Sequence, residues 1–268
     1  MTPEEARNHP LASQRAVRVT VCTLGWRDPL RWLAAGARDM RACPLLSLSY
    51  GALFTAVAWA LAALLRSSPQ YALLLGSGVM LLGPALAMGL IQASRSCEAG
   101  QRPRLRPCLL CWLPMRASVG LFAGLLLVLE LLWARSSLIV FALFADSMAP
   151  AQSPTELLAD PSNLSFLASY AAVGAVFAGI AYACSVIAVP MLLDRPVDAI
   201  TAALTSVRAC LEHPWVLLLW GALLSGLSLL ALLPAGLGLL LVGPLLGHAS
   251  WHAYRGIVCP AAGQAAPA

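Results

Sequence analysis

Long apolar runs alternate with short arginine-rich segments along the chain. The runs cover residues 44–65, 70–93, 117–144 and 166–193, and only the third contains charged residues, Glu130 and Arg135. No charged residue occurs from His213 to Tyr254, a stretch long enough for two spans joined by a turn at residues 233–236. Because a bilayer core needs about 20 apolar residues per helix, this pattern predicts an all-α, polytopic membrane protein with six transmembrane helices.

Two segments beside these runs have the spacing of amphipathic helices. From Pro29 to Cys43, apolar residues recur at nearly helical spacing with arginines between them, and Pro196–Glu212 has a cleaner apolar stripe. We expect both to be interfacial helices that lie on the membrane surface. The composition agrees, since 60% of the residues are hydrophobic and only 11% are charged, which excludes an ordinary soluble domain.

The two interfacial segments are also similar in sequence. Pro29–Cys43 matches Pro196–Cys210 without a gap, and both end in Arg-Ala-Cys. After each copy come a proline, a Gly-Ala-Leu and an apolar run with Gly-Pro, so the predicted repeats cover residues 29–95 and 196–255. Two further spans lie between the copies, so the repeat is parallel and its symmetry axis should follow the membrane normal. The predicted organisation is a cytoplasmic N-terminal segment (1–28), one six-span membrane domain (29–258) and a cytoplasmic tail (259–268).

The charges predict the orientation. All 17 basic residues are arginines, and all except Arg66 and Arg135 fall on one side of the six-span topology. The positive-inside rule places that side, with both termini, in the cytoplasm. All of the 8 cysteines except Cys184 lie on this reducing side, and we therefore expect no structural disulfide.

Interrupted spans are the first candidate for a ligand site. Gly83-Pro84 and Gly243-Pro244 lie at matching places in the two repeats, and a proline inside a helix removes a backbone donor and kinks it. Such paired interruptions indicate a binding site at the middle of the membrane, although they also occur for packing alone. Glu130 is a further candidate, since a carboxylate inside a span suggests proton relay or substrate binding unless water or a basic partner satisfies it.

His248 and His252 are the candidate metal or haem ligands. Their i, i+4 spacing stacks both imidazoles on one helix face, which suits a metal or two separate haems but not both axial ligands of one haem. The alternatives are an aromatic belt with Trp251 and Tyr254, or hydrogen bonds to neighbouring helices. Cys108 and Cys111 have redox or zinc spacing, but a second pair is absent and chance spacing is favoured.

The chain resembles a family of bacterial six-span membrane proteins known only as a domain of unknown function. The resemblance covers about residues 24–258 and is carried by Trp26, residues 38–41, residues 44–51, Leu82-Gly83-Pro84, Ser94-Arg95, Glu98-Ala99-Gly100, Trp220-Gly221 and, most specifically, residues 247–255. It implies fold, topology and a location in the bacterial inner membrane, and adds no activity. Some members carry a label linking them to a cytochrome oxidase subunit, but a haem–copper core needs ligands on several spans.

These observations support three hypotheses for function. The first is a non-enzymatic accessory or assembly protein that binds lipid or partner helices. The second is a small-molecule or lipid transporter with its site between the kinked second and sixth spans. The third is a haem- or metal-binding membrane protein, although we expect no cofactor. The expected partners are the bilayer, other membrane proteins and anionic lipids, and we expect no nucleic acid.

Overall fold

A computed structural model of the chain describes residues 20–67, 72–146 and 160–259. Within these ranges the elements are β1 (Thr20–Val21), α1 (Asp28–Ala42), α2 (Pro44–Ser67), α3 (Ala72–Glu98), α4 (Leu105–Leu109), α5 (Arg116–Phe144), α6 (Leu164–Ser185), α7 (Ala188–Asp194), α8 (Ala199–Glu212), α9 (Pro214–Leu232), α10 (Leu239–Ile257) and β2 (Val258–Cys259). Short 3₁₀ turns occur at Leu113–Met115 and Pro161–Asn163. The prediction of an all-α protein is confirmed, and most of the predicted terminal segments 1–28 and 259–268 lies outside the described residues.

Four stretches of the described residues are long and apolar enough to cross a membrane: Pro44–Leu64, Leu105–Phe144, Pro161–Asp194 and Pro214–Leu232. They correspond to the predicted first, third, fourth and fifth spans, and they confirm a membrane protein with several apolar helices. The predicted second and sixth spans coincide with α3 and α10. Crossing of the membrane by these two helices stays a prediction.

The junction between an interfacial helix and the span after it has the same geometry twice. Cys43 ends α1 with φ −133° and ψ 63°, and His213 ends α8 with φ −131° and ψ 59°. The amide of each donates to the carbonyl four residues earlier, and a proline begins the next helix. The two junctions therefore have the same local structure, and the duplication itself stays a prediction.

Beyond these junctions the two halves pack differently. Helices α1 and α2 pack mainly against α10, whereas α8 packs mainly against α6 and α7. The start of α8 also differs from the prediction at Pro196, because the helix begins at Ala199. The carboxylate of Asp198 accepts a hydrogen bond from the Thr201 amide and caps the helix, which leaves Pro196 in the preceding turn.

Helix α10 lies at the centre of the bundle and is approached closely by two neighbours. A Cβ on Gly36 of α1 would lie 2.7 Å from the backbone nitrogen of Ala249, so only glycine lets the two helices cross at this distance. Gly51 of α2 lies against the Leu240 carbonyl, which stands where a side chain of residue 51 would be. Pro244 has no N–H, so the Leu240 carbonyl, four residues earlier in α10, lacks its usual helical donor. The backbone of α2 at Gly51 covers this carbonyl instead.

The ends of the described chain are joined to each other. β1 pairs antiparallel with β2, Thr20 lies opposite Cys259, and Cys22 and Cys259 form a disulfide with a Cα–Cα distance of 5.4 Å. The expectation of no structural disulfide is therefore wrong. That expectation considered only the compartment, whereas the pairing of the two strands brings both cysteines within bonding reach.

Candidate functional site

The second half of α10, residues 247–255, carries a row of polar side chains through the inside of the bundle. Each of them is hydrogen-bonded to a residue outside α10, and the set comprises His248, Trp251, His252, Tyr254 and Arg255. We call these residues and their side-chain partners the α10 network. Its members connect α10 to α1, α2, α3 and the end of α7.

His248 is the most buried member, with no exposed surface. Its Nδ1 lies 2.7 Å from the hydroxyl of Ser94, and its Nε2 lies 3.0 Å from the hydroxyl of Ser47. Ser47 donates its own hydrogen to the Cys43 carbonyl at 2.9 Å, so it must accept from Nε2–H. Both ring nitrogens of His248 are therefore occupied by serine hydroxyls.

His252 lies one turn further along α10 and contacts the interfacial helix. Its Nε2 is 2.8 Å from Oδ2 of Asp39 on α1, and both side chains are largely shielded from solvent. Burial alone would raise the pKa of Asp39, but hydrogen bonds from His252 and Ser94 outweigh it and hold that pKa below its ordinary value. The pair is therefore a carboxylate–imidazole contact that fixes α1 on α10.

Two further carboxylates complete the α10 network at the arginine-rich end of the bundle. Glu98 accepts from Trp251 Nε1 at 2.6 Å and lies 2.9 Å from a guanidinium nitrogen of Arg255. Asp194 accepts from the Tyr254 hydroxyl at 2.8 Å. These contacts anchor the ends of α3 and α7 to the last turn of α10.

The network holds helices together and does not form a hydrolytic triad. The Asp39 carboxylate bonds to His252, whereas the serines bond to His248, so no serine, histidine and carboxylate are linked in the required order. Metal or haem ligation by the two histidines stays a prediction. It would require His248 to give up a serine hydroxyl, and no group of three or more metal-ligating side chains occurs in the described ranges.

A second candidate site is a groove between α5 and α6. Its volume is about 460 Å³, and its walls are almost entirely apolar or aromatic, formed by Leu126, Leu129, Trp133, Gly174, Phe177, Ala178, Ala181, Tyr182 and Ser185. Glu130 contributes a carboxylate to this groove and is 6% exposed. Tyr182 is turned away, because its hydroxyl donates to the Leu217 carbonyl at 2.7 Å. Among the described residues no side chain donates a hydrogen bond to Glu130, and Arg135 makes no ion pair with it.

Residues 72–194 match the family described as "Predicted integral membrane protein (DUF2189)". The function of this family is unknown. The match confirms the predicted resemblance to such a family, over a shorter segment than residues 24–258. No curated protein and no solved structure matches the chain.

The DUF2189 segment runs from the start of α3 to the end of α7, so it contains the α5–α6 groove and Glu130. It also contains Gly83 and Pro84, where α3 continues as a helix, and the side chain of Pro84 lies outside the described part of the structure. Gly243 and Pro244 lie beyond the segment in α10. A Cβ on Gly243 would approach the Phe54 ring to 2.8 Å, so α10 packs tightly against α2 at this position. The structure thus places the predicted ligand residues in separate regions, and binding by any of them stays a prediction.

Asp39, Ser47, Ser94 and Glu98 belong to the α10 network, but the sequence analysis does not predict them as site residues. Asp39 lies on an amphipathic helix, where a carboxylate is ordinary, and the other three occur near the ends of apolar runs. The sequence offers no local signal for these contacts, because each joins residues that are far apart along the chain.

Proposed function

We propose that this chain is a non-enzymatic inner-membrane accessory protein that binds a transmembrane helix of a partner protein in the α5–α6 groove. The observation that carries the proposal is the Glu130 carboxylate, which faces an apolar groove inside a candidate span without a hydrogen-bond donor from the described residues. A buried polar group is stable only when it is hydrogen-bonded, and the cost is greatest where water is scarce.

The depth and surroundings of Glu130 favour a partner within the bilayer. At about 1.5 Å per residue, Glu130 lies about 20 Å along α5 from Arg116, inside a hydrocarbon core that is about 30 Å thick. The outer surface of α5 is covered by exposed apolar side chains, among them Leu131, Leu132, Ile139 and Phe141. A helix with a Lys, Arg, Asn or Gln at mid-membrane depth would satisfy the carboxylate and cover this surface.

Site-specific photocrosslinking in the native membrane tests the proposal. A benzophenone amino acid at Phe177, in the groove, should give a discrete adduct with a membrane protein whose spanning helix carries a hydrogen-bond donor. The same probe at Leu229, an exposed residue of α9, is the matched control. Glu130→Leu should reduce the adduct at residue 177 about fivefold, since an interhelical hydrogen bond in a membrane contributes about 1 kcal/mol. Equal labelling at both positions, or adducts with lipid alone, would exclude partner docking in the groove.

The transporter alternative depends on Gly83-Pro84 and Gly243-Pro244. The contact between Gly243 and the Phe54 ring supports a packing role for the second pair. Pro244→Ala should therefore leave growth of a complemented deletion strain unchanged.

We also propose that all six predicted spans cross the membrane, as a parallel repeat with both termini in the cytoplasm. The distribution of arginines supports this orientation, whereas a lasting Cys22–Cys259 disulfide would favour an oxidising compartment. We give the arginines more weight because they act on insertion itself. A fluorescent protein that matures only in the cytoplasm, fused after residue 268, should be bright, and a dark but full-length fusion would reverse the orientation.

A further inference from the structure

A second cleft lies at the arginine-rich end of the bundle, outside the α5–α6 groove and the α10 network. Its volume is about 450 Å³, and it is formed by the end of α3, the α4 segment and the end of α7. Two arginines, Arg95 and Arg106, and the amide side chain of Gln92 line it together with Leu110, Met115 and Leu193. The cleft therefore combines positively charged and neutral hydrogen-bond donors with an apolar wall.

The two guanidinium groups differ in how they are held. Arg95 donates from Nη1 to the Leu193 carbonyl at 2.8 Å, and its Nε lies 3.6 Å from the Asp194 carboxylate, which also contacts Tyr254. These contacts fix the orientation of Arg95 while 41% of its side chain stays exposed. Arg106 is exposed and has no ion-pair partner among the described residues, so its charge is available to a ligand.

The apolar side of the cleft continues onto a surface that belongs in the bilayer. The segment from Leu105 to Leu113 leads into α5 and exposes five large apolar side chains: Leu105, Leu109, Leu110, Trp112 and Leu113. Three exposed arginines, Arg102, Arg104 and Arg116, flank this segment. Leucine and tryptophan beside arginine on one short segment are typical of a segment at the depth of the lipid headgroups.

We propose that this cleft binds one anionic phospholipid, with the headgroup phosphate between Arg95 and Arg106 and an acyl chain along Leu110 and the exposed leucines. Guanidinium groups bind phosphate oxygens through paired N–H donors, and Gln92 supplies a further neutral donor. The net charge of the chain, +5, and the free charge of Arg106 favour an anionic over a zwitterionic headgroup. This inference is independent of partner docking at Glu130, because the two sites share no residue.

Native mass spectrometry of the purified full-length protein tests the proposal. The probes are palmitoyl-oleoyl phosphatidylglycerol and phosphatidylcholine with the same chains, each titrated separately, and inorganic phosphate as a competitor. The wild type should bind one phosphatidylglycerol more tightly than phosphatidylcholine, and millimolar phosphate should not displace it. Arg106→Gln should weaken phosphatidylglycerol binding about fivefold, since each arginine contributes about that factor near a membrane surface. It should weaken phosphatidylcholine binding by less, because the choline cation offsets the charge of its phosphate.

Arg106→Gln is the decisive variant because Arg95 also contacts the protein itself, so its replacement could disturb the fold. Arg135→Gln removes an exposed arginine from the second half of α5 and is the matched control. The proposal is overturned if Arg106→Gln and Arg135→Gln weaken binding equally, if the two lipids bind alike, or if inorganic phosphate displaces the lipid.

Discussion

Replacing His248 with alanine tests whether the α10 network stabilises the bundle. The variant removes the hydrogen bonds to Ser94 and Ser47, which are 2.7 and 3.0 Å long in the structure. Ser47 keeps its local bond to the Cys43 carbonyl, but both serines lose their contact with α10. Each lost bond costs about 1 kcal/mol, or less where membrane helices find other partners.

Packing adds a second contribution. His248 is fully buried, so truncation to Cβ leaves a cavity where α2, α3 and α10 meet, which costs on the order of 1–2 kcal/mol more. The total is about 2–4 kcal/mol. For a chain of this size, that loss corresponds to a decrease in unfolding temperature of roughly 5–15 °C.

The assay is thermal unfolding of the purified protein in detergent, followed by intrinsic tryptophan fluorescence. The control is His213→Ala, because His213 ends α8 at the equivalent junction, is only partly buried and makes no side-chain hydrogen bond among those described. We expect the control to change the unfolding temperature by less than about 2 °C. If both variants lose the same stability, the α10 network does not contribute as its geometry implies.

Two other perturbations examine different contacts of α10. Gly51→Val should prevent α2 from approaching the Leu240 carbonyl and should lower the yield of folded protein severalfold. Gly120→Val, at a position with open space, is the control and should leave the yield unchanged. Size-exclusion chromatography measures the yield of both variants. Asp39→Asn tests the contact with His252 by its pH dependence. Because the folded-state pKa of Asp39 lies below 3.8, the wild type should be the more stable of the two above that pH, and its advantage should disappear as the pH falls through the lower folded value. A difference in unfolding temperature that stays constant from pH 7 to pH 3 would contradict this assignment.

The helices could be predicted from the sequence because the bilayer sets their length. The apolar runs at residues 44–65 and 117–144 coincide with α2 and α5 to within a few residues, and the turn at 233–236 is present, with positive φ at Ala235 and Gly236. These features depend only on neighbouring residues. The start of α8 was misplaced because Pro196 and Asp198 both signal a helix start, and the carboxylate cap at Asp198 determines where the first amide is satisfied.

The candidate sites were less predictable because they depend on distant residues. His248 was recognised, but its partner Ser94 is separated from it by 154 positions, and nothing local to either residue indicates the contact. Glu130 was recognised as an intramembrane carboxylate, whereas the groove exists only because α6 leaves space beside it. The disulfide was missed for the same reason, since its cysteines are 237 positions apart.

The pairing of β1 with β2 has a consequence for how the chain is threaded through the bilayer. Two strands that share hydrogen bonds and a disulfide must lie in the same aqueous compartment. The polypeptide between them therefore traverses the membrane an even number of times. If each of the four stretches that are apolar enough to span crosses once, then α3 and α10 either both cross the membrane or both do not. A single accessibility measurement at the far end of either helix thus determines the path of both.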